Sequence, residues 1–147
     1  MVTLAPIPPG ALAKYDPQID FPTVAEAGWN GDDLLGIGGL SWTKGRCWLW
    51  YRVVDRNHHE GNSVHPHAIV RGGLRMLRRA RQMGETQVFA WRDDSEPSSK
   101  RLLEVIGFKP IGTEDVMTTN GRIERKEVRL WQVKQMTSAC TLAASPR

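Results

Sequence analysis

Hydrophobic and polar positions alternate through the first half of the globular pattern in a way that predicts β-strands. "TVAEAGWNGDDLLGIGGLSW" predicts two strands, residues 23–29 and 34–42. Asn30-Gly31 between them is a strong hairpin signal and predicts a type I′ turn, because both central positions of that turn need a positive φ. "RCWLWYRVV", residues 46–54, is β-branched and aromatic and predicts a central strand that is buried on both faces.

The pattern then changes to a helical period. "PHAIVRGGLRMLRRARQMG" predicts a long helix over residues 66–83. Apolar side chains recur at helical spacing and arginines lie mostly on the opposite side; the apolar set is Val70, Leu74, Leu77 and Ala80. Pro66 suits the first turn and Gly84 suits the C-terminal cap. Gly72 and Gly73 are costly inside a helix, and we expect them to allow close packing on a sheet.

The remaining elements complete a mixed fold. "TQVFAW" predicts a strand over residues 86–91, and "SEPSSKRLLEVIGF" predicts a short helix with Ser95 as N-cap, Pro97 in the first turn and Gly107 at the end. Two further strands form a hairpin around "NG" at residues 120–121. The order β-β-β-α-β-α-β-β predicts an α/β (α+β) fold, with a mixed, mostly antiparallel sheet of about six strands and two main helices.

Length and proline content set the domain organisation. The chain has 147 residues, enough for one domain with a core. Residues 1–22 hold five prolines and predict an extended or irregular arm, with one short helical turn around residues 11–15. Residues 134–147 predict a mobile tail. The folded domain is therefore expected over residues 23–133.

Composition narrows the class of protein and of partner. The net charge is +4, which favours an anionic partner such as a phosphorylated cofactor or a nucleic acid. The two cysteines, Cys47 and Cys140, predict free thiols in a reducing compartment rather than a disulfide framework. The N-terminus lacks the features of a signal peptide and no stretch is long and apolar enough to span a membrane, so we expect a cytoplasmic protein.

"SSKRLLEVIGFKPIG", together with the order of elements over about residues 23–133, resembles the GNAT superfamily of N-acetyltransferases. The resemblance rests on Leu102, Glu104 and the ending Gly107-Phe108. It implies that the strand before the long helix splays from its neighbour, that acyl-CoA lies in the opening, and that backbone amides of a glycine-containing loop hold the pyrophosphate at the helix N-terminus.

The phosphate loop of this chain departs from the family pattern. Counting back from the helix end, the loop falls on "VHPHAI", where His67 and Ile69 take the glycine positions and Val64 takes the Arg/Gln position. Pro66 removes one amide donor. A shifted alignment would use "RGG" at residues 71–73. Leu103 takes the place of the tyrosine that the family often uses as general acid, and Glu96 takes that of a common asparagine at the head of that helix. The two N-terminal helices that shape the family's acceptor site have no counterpart in the sequence.

The resemblance nevertheless assigns candidate residues. The donor would be acetyl-CoA, and Asp55 or Glu60 would act as general base for the acceptor amine. Loop polarity and capping are the plainer interpretation of these two acids. The candidate cofactor-binding residues are Val53, Val54, His65, His67, Ala68, Ile69 and Arg71.

All four histidines fall in "DRNHHEGNSVHPH", residues 55–67, which leaves three interpretations open. The plainest is a solvated loop between a strand and a helix. A metal site would use His65 and His67 with His58 or His59 and an acid, but the spacing matches no zinc pattern and no cysteine lies nearby, so we expect no metal. In the third interpretation the histidines lie near a bound anion or substrate, where a neutral imidazole could act as base.

The arginine face of the long helix is most simply solvated surface, with CoA phosphates or a nucleic-acid backbone as alternative partners. A nucleic-acid role is disfavoured, because aromatic residues are not interleaved with the arginines. The tryptophans instead lie on strands and predict core and one sheet face: Trp42, Trp48, Trp50, Trp91 and Trp131.

Two functions are therefore open. One is acyl-CoA-dependent N-acetyl transfer. The other is a non-catalytic domain kept for its surface, and here the chain resembles small, degenerate GNAT-like proteins of tailed phages, which implies protein partners, including phage structural proteins, and a place in the virion. The strand at 46–54 discriminates between them: a splayed strand favours the enzyme, whereas a zipped sheet with His67 filling the cleft favours the interaction protein.

Overall fold

The described part of the chain forms one seven-stranded sheet with helices packed on it. A computed structural model describes residues 2–15, 22–53, 66–92, 98–118 and 122–133. The strands are β1 (Thr3–Ile7), β2 (Thr23–Asn30), β3 (Asp33–Thr43), β4 (Arg46–Val53), β5 (Gln87–Trp91), β6 (Lys109–Met117) and β7 (Ile123–Gln132). The helices are α1 (Leu12–Tyr15), which follows a 3-10 turn at Pro9–Ala11, α2 (Pro66–Gln82) and α3 (Ser99–Ile106).

The sheet order is β1-β2-β3-β4-β5-β7-β6. Only β4 and β5 are parallel neighbours; the other described pairs are antiparallel. The predicted α+β class and the mixed, mostly antiparallel sheet are confirmed. No helix in the described part of the chain is long and apolar enough to cross a membrane.

Strand β1 lies inside the segment for which the proline count predicted an extended or irregular arm. It pairs antiparallel with β2, from Thr3↔Trp29 to Ile7↔Ala25. Pro6 is tolerated there because β1 is at the sheet edge, where a missing N–H need not break a ladder. The short helical turn expected around residues 11–15 is present as α1.

The type I′ turn predicted between β2 and β3 occurs instead between β3 and β4. Asn30 is the last residue of β2 and pairs with Asp33, so the loop is Gly31 and Asp32, and of these two only Gly31 has a positive φ, +62°. The predicted type I′ turn at Asn30-Gly31 is therefore wrong. The turn between β3 and β4 has positive φ at both central positions, Lys44 (53°) and Gly45 (76°), as a type I′ turn requires.

Helices α2 and α3 cover one face of the sheet. Their core contains Leu40, Cys47, Met76, Leu77, Ala80, Val88, Ala90, Ile106 and Phe108. Leu74 was predicted on the apolar stripe but is 47% exposed. The inward position belongs to Gly73, since a Cβ built there would lie 2.9 Å from the Cδ1 of Ile106 and 3.9 Å from Leu49, whereas Leu74 lies ~100° further round the helix. The expected close packing at Gly73 therefore involves α3 as well as the sheet.

The opposite face carries two smaller clusters. One, under the N-terminal segment, contains Ile7, Leu12, Ala25, Ala27 and Ile37. The other contains Phe89, Val116 and Val128. The tryptophans divide between the two faces, because Trp42 and Trp131 pack under the helices while Trp48, Trp50 and Trp91 pack on the opposite face. The tryptophans therefore contribute to the core under the helices and to one further sheet face, as predicted.

Proline and glycine mark the ends of α2, and glycine marks the end of α3. α2 begins at Pro66, and Gly84 follows its end with a φ of +93°. α3 begins at Ser99, with Ser98 rather than the predicted Ser95 at the N-cap position; Ser95 and Pro97 lie outside the described residues. Gly107 ends α3 as predicted, with a φ of 115°, and its amide donates to the carbonyls of Leu103 and Glu104.

Candidate active site

The sheet is divided between β4 and β5. The described ladder between these parallel strands consists of Trp48↔Phe89. The next pair in the same register would be Trp50 and Trp91, and it is not formed. On its other side β4 stays paired with β3 as far as Gly36↔Val53. Beyond Trp48, the edge of β4 that faces β5 is therefore not part of a ladder.

We call the part of β4 and β5 around the Trp48↔Phe89 pair the closed end. An aromatic and ionic cluster holds it together. The rings of Trp48 and Phe89 have centroids 5.7 Å apart. The guanidinium carbon of Arg46 lies 4.3 Å from the Phe89 centroid and 5.8 Å from the Trp48 centroid. Arg46 Nη1 also donates to Glu114 Oε1 of β6 at 2.8 Å. One cation thus links β4 to the far strands across the closed end.

We call the part of β4 and β5 beyond Trp48↔Phe89 the open end, and its two tryptophans pack on separate parts of the sheet. Trp50 Nε1 donates to Ser41 Oγ at 2.7 Å, and Trp50 packs with the N-terminal cluster. Trp91 packs with the cluster of Phe89, and Lys126 Nζ lies 5.6 Å from its ring centroid. The two tryptophans that follow the last β4–β5 pair therefore pack in different clusters of the same sheet face.

The open end of β4 is also the less buried half. Cys47 is 2% exposed, while Tyr51 is 36% exposed and Arg52 is exposed. The prediction that the strand is buried on both faces is therefore wrong beyond its first residues. The exposed half coincides with the part that is not paired with β5.

Helix α2 begins where the resemblance places a phosphate-binding loop. The backbone N–H groups of His67, Ala68 and Ile69 have no acceptor within the helix, because the first turn of any helix leaves its donors unpaired. Pro66 contributes no donor. The side chain of His67 is exposed, while Ala68 and Ile69 are half-buried. The exposed imidazole does not match the alternative in which His67 fills a closed cleft.

The predicted site residues divide into two groups. Val53 ends β4, and His67, Ala68 and Ile69 lie in the first turn of α2. The remaining candidates of the connecting segment lie outside the described residues: Val54, Asp55, His58, His59, Glu60 and His65. No group of three or more metal-ligating side chains occurs within the described ranges.

Arg71, predicted to bind cofactor, has a partner inside the protein. Its Nη2 donates to the backbone carbonyl of Val2 at 2.8 Å. Four residues later, Arg75 forms an ion pair with the buried carboxylate of Glu26 on β2. Part of the arginine face predicted as solvated surface therefore joins α2 to the N-terminal strands.

Two further residues limit the chemistry that the site can perform. Leu103, at the position of the family's tyrosine, is half-buried and packs against the core under the helices. Burial, followed by the charge of Glu85, raises the pKa of the Cys47 thiol to about 12. Cys47 is thus neutral and inaccessible, and we exclude it as a nucleophile.

Sequence reasoning missed Arg46, Glu114 and the Glu26–Arg75 pair. Each pair joins residues that are far apart in the chain, and neither belongs to a local motif. A charged residue within an apolar strand, such as Glu26 in "TVAEAGW", was the one available signal.

Comparison with known proteins gives a fold but no close relative. Neither protein-family models nor curated proteins include a match to this chain. Among solved structures, the N-acetyltransferase from Staphylococcus aureus Mu50 superposes with a TM-score of 0.64 at 11% identity, covering 90% of this chain and 97% of that one.

Two other solved structures agree. Mutant forms of the spermidine/spermine N-acetyltransferase SpeG from Vibrio cholerae give a TM-score of 0.64 at 13% identity, covering 95% of this chain and 99% of that one. A Bacillus subtilis acetyltransferase in complex with CoA gives a TM-score of 0.55 at 13% identity, covering 90% of this chain and 98% of that one. The division between β4 and β5, the order of elements and these superpositions together show that this chain has the fold of the GNAT N-acetyltransferases.

Proposed function

We propose that this chain is an acyl-CoA-dependent N-acyltransferase and that acetyl-CoA is its donor. The observation that carries the proposal is the end of the β4–β5 ladder at Trp48↔Phe89. A strand edge with unpaired N–H and C=O groups can hydrogen-bond an extended ligand that carries amides. The similarity to acetyltransferases, one of them in complex with CoA, supports a donor of this class.

The first turn of α2 fits the phosphates of such an acyl donor. It offers one backbone N–H group fewer than the family pattern, because Pro66 has none. Backbone amides of residues 67–69 and the positive end of the helix dipole favour an anion there. No acidic residue occurs in α2 to oppose it. The side chains of His67 and Ile69, in place of glycines, would limit how closely the phosphates approach. In this proposal the backbone of Val53, Val54 and His65 completes the contacts.

Bound acetyl-CoA would supply the acetyl group as an activated thioester. The protein's own task is to deliver a neutral amine, since an ammonium group has no lone pair with which to attack. Asp55 or Glu60, or a histidine of the same segment, would accept the proton of the acceptor amine. In sequence, Asp55 lies two residues and Glu60 seven residues after Val53, the last residue of β4. Leu103 cannot donate a proton, so the departing thiolate would take its proton from another group or from water.

The alternative is a non-catalytic protein that uses the same fold as a binding surface, including a role among phage structural proteins in a virion. Two observations favour it. In the segment that matches the phosphate loop, Pro66 removes an amide donor and His67 takes a glycine position. Leu103 takes the position of the family's tyrosine and packs into the core. In this alternative the cleft has no cofactor, and the partner is a protein. Cytoplasmic or virion location then follows from which function holds.

Calorimetric titration of acetyl-CoA into the purified, metal-stripped protein tests the proposal. We expect saturable binding in the micromolar range, with competition by free CoA. Absence of heat, together with no competition at millimolar CoA, would contradict the enzyme and favour the interaction protein.

Two variants with the same change in charge locate the binding. Ala68→Glu adds a carboxylate in the first turn of α2 and should weaken acetyl-CoA binding by about tenfold or more, because like charges meet. Gln82→Glu adds the same charge at the far end of the helix and should leave the affinity nearly unchanged. Equal effects of the two variants would mean that acetyl-CoA is held by the general charge of the protein.

A further inference from the structure

The two halves of α2 are held to the protein in different ways. Its buried side chains are Met76, Leu77 and Ala80, all in the second half. In the first half, Pro66 and His67 are exposed and residues 68–70 are half-buried. Apolar packing is therefore densest in the second half of the helix. In the first half Val70 packs against the edge of the same core, and polar contacts to the N-terminal strands add to it.

At the middle of the helix, where the two halves meet, Arg75 forms a bidentate ion pair with β2. Arg75 Nε donates to Glu26 Oε1 at 3.1 Å, and Arg75 Nη2 donates to Glu26 Oε2 at 2.8 Å. Residue Glu26 is only 8% exposed, while the Arg75 side chain is 47% exposed. The hydrogen bond to Glu26, and then its charge, raise the pKa of Arg75 above its ordinary value. A carboxylate this buried needs its partner, because an unpaired buried charge is strongly destabilising.

A second contact lies one turn earlier on the same side of the helix. Arg71 Nη2 donates to the Val2 carbonyl at 2.8 Å, just before β1 begins. Between the two arginines, Gly72 faces the Leu4 side chain of β1, since a Cβ built there would lie 3.8 Å from its Cδ1. We call Arg71, Arg75, Glu26 and the Val2 carbonyl the arginine latch.

We propose that the arginine latch positions the first turn of α2 for cofactor binding, so that Glu26 and Arg75 are positioning residues although neither lies on the cleft. The step from the latch to affinity rests on the proposed function. The donors of residues 67–69 move with the first half of the helix, and that half is tied to β1 and β2 through the latch. The N-terminal strands would thus set the affinity for acyl-CoA without touching it.

Hydrogen–deuterium exchange in the protein without cofactor tests the latch directly. The amides of residues 70–74 donate to carbonyls of the first turns, so their exchange reports how often that half of the helix opens. In Arg75→Met we expect these amides to exchange at least about tenfold faster, since charge-assisted hydrogen bonds are lost. The amides of residues 78–82 should change little.

Arg78→Met is the matched control, because it removes an arginine one turn later on the same helix. Within the part of the chain that the structure describes, Arg78 forms no hydrogen bond or ion pair, so its removal should leave the exchange of residues 70–74 as in the wild type. Arg75→Lys keeps the charge and loses the bidentate geometry, and it should exchange at an intermediate rate. This conservative variant also serves if Arg75→Met does not fold.

Affinity gives the second readout. In Arg75→Met the dissociation constant of acetyl-CoA should rise by a larger factor than kcat falls, because the variant misplaces donors rather than reacting groups. Unchanged exchange of residues 70–74 in folded Arg75→Met or Arg75→Lys would overturn the latch. Faster exchange with unchanged acetyl-CoA affinity would overturn its positioning role. If the wild type does not bind acetyl-CoA, the proposed function fails, and the exchange result then still decides whether the latch holds the helix.

Discussion

The two halves of β4 have the same partner on one side and differ on the other. Both halves pair with β3, from Thr43↔Arg46 to Gly36↔Val53. The first half meets β5 at Trp48↔Phe89 and contains the buried Cys47. The second half has no described ladder with β5, and its side chains Tyr51 and Arg52 are exposed. One strand is therefore central in a sheet at its start and an edge strand at its end.

This difference shows how one side of a strand can lose its neighbour without a break in the strand pattern. The backbone of β4 is regular throughout, but Trp50 is hydrogen-bonded to Ser41 on the β3 side, while Trp91 packs with the β5–β7 side. Each tryptophan stabilises its own part of the sheet. We therefore expect the closed end to contribute stability and the open end to contribute binding.

The largest effect should come from truncating the closed end. Trp48→Ala removes the ring that packs on Phe89 and should lower the free energy of unfolding by about 3 kcal/mol. Tyr51→Ala at the open end removes an exposed ring and should cost less than about 1 kcal/mol. Urea unfolding of both variants measures the difference, and equal costs would contradict the contrast between the two halves.

Trp48→Phe gives a finer control at the same position. Trp48 Nε1 is buried and has no hydrogen-bond partner in the described part of the chain. Phenylalanine keeps an aromatic ring and removes that donor, so it should recover most of the stability lost in Trp48→Ala. A cost as large as that of alanine would show that the stabilisation does not come from aromatic packing.

The next effect is a pH dependence that belongs to the closed end. Burial raises the pKa of the Cys47 thiol from 9.0 to about 12 in the folded protein. Above the lower value the unfolded thiol ionises while the folded one remains neutral, so the free energy of unfolding falls as pH rises through this window, by up to ~1.4 kcal/mol per pH unit. Well below pH 9.0 the thiol is neutral in both states and contributes no pH dependence.

Urea unfolding at about pH 8 and about pH 10 checks this linkage. The comparison uses Cys140→Ser as background and adds Cys47→Ala as the second variant. Protein that retains Cys47 should lose about 1 kcal/mol more stability between the two pH values than the Cys47→Ala protein. Identical pH dependence in both would mean that the thiol titrates normally and that the closed end admits water.

The smallest effect concerns the ion pair at the closed end. Arg46→Met removes a 2.8 Å contact to Glu114 and a cation above the Phe89 ring, and should cost about 1 kcal/mol. Arg125→Met removes a longer pair, 3.4 Å to Asp115 with both side chains mostly exposed, and should cost almost nothing. Thermal unfolding of the two variants distinguishes them. A similar loss in both would remove the special role assigned to Arg46.

The regular elements were predictable because alternation and helical spacing are local signals. β2 to β7, α2 and α3 follow from those signals to within a few residues. β1 was not predicted, because Pro6 and its neighbouring prolines indicate an irregular chain. A strand at the edge of a sheet tolerates such prolines. Leu74 was placed on the wrong side because Gly73, which has no side chain to signal burial, holds the inward position.

The division of the sheet could not be derived from strand pattern alone. "RCWLWYRVV" predicts one continuous strand, and the structure has one over Arg46–Val53. Its alternation does not show how far β5 stays paired with it, because that depends on where Trp50 and Trp91 pack. That packing depends on Ser41 and on the cluster of Phe89, which are distant in sequence. The expectation of a splay came from the family resemblance. The candidate base, Asp55 or Glu60, stays a prediction, because both residues lie outside the described ranges.

The most direct test of the central claim is a titration of ¹⁵N-labelled protein with CoA, followed by amide chemical shifts. If the open end of β4 is a binding cleft, the shifts should concentrate on residues 49–53, on residues 90–91 and on the first turn of α2. The closed end and the β6–β7 hairpin should be nearly unaffected. No shifts at millimolar CoA, or shifts confined to the exposed Arg78, Arg79 and Arg81, would contradict the account and leave the division of the sheet without a role in cofactor binding.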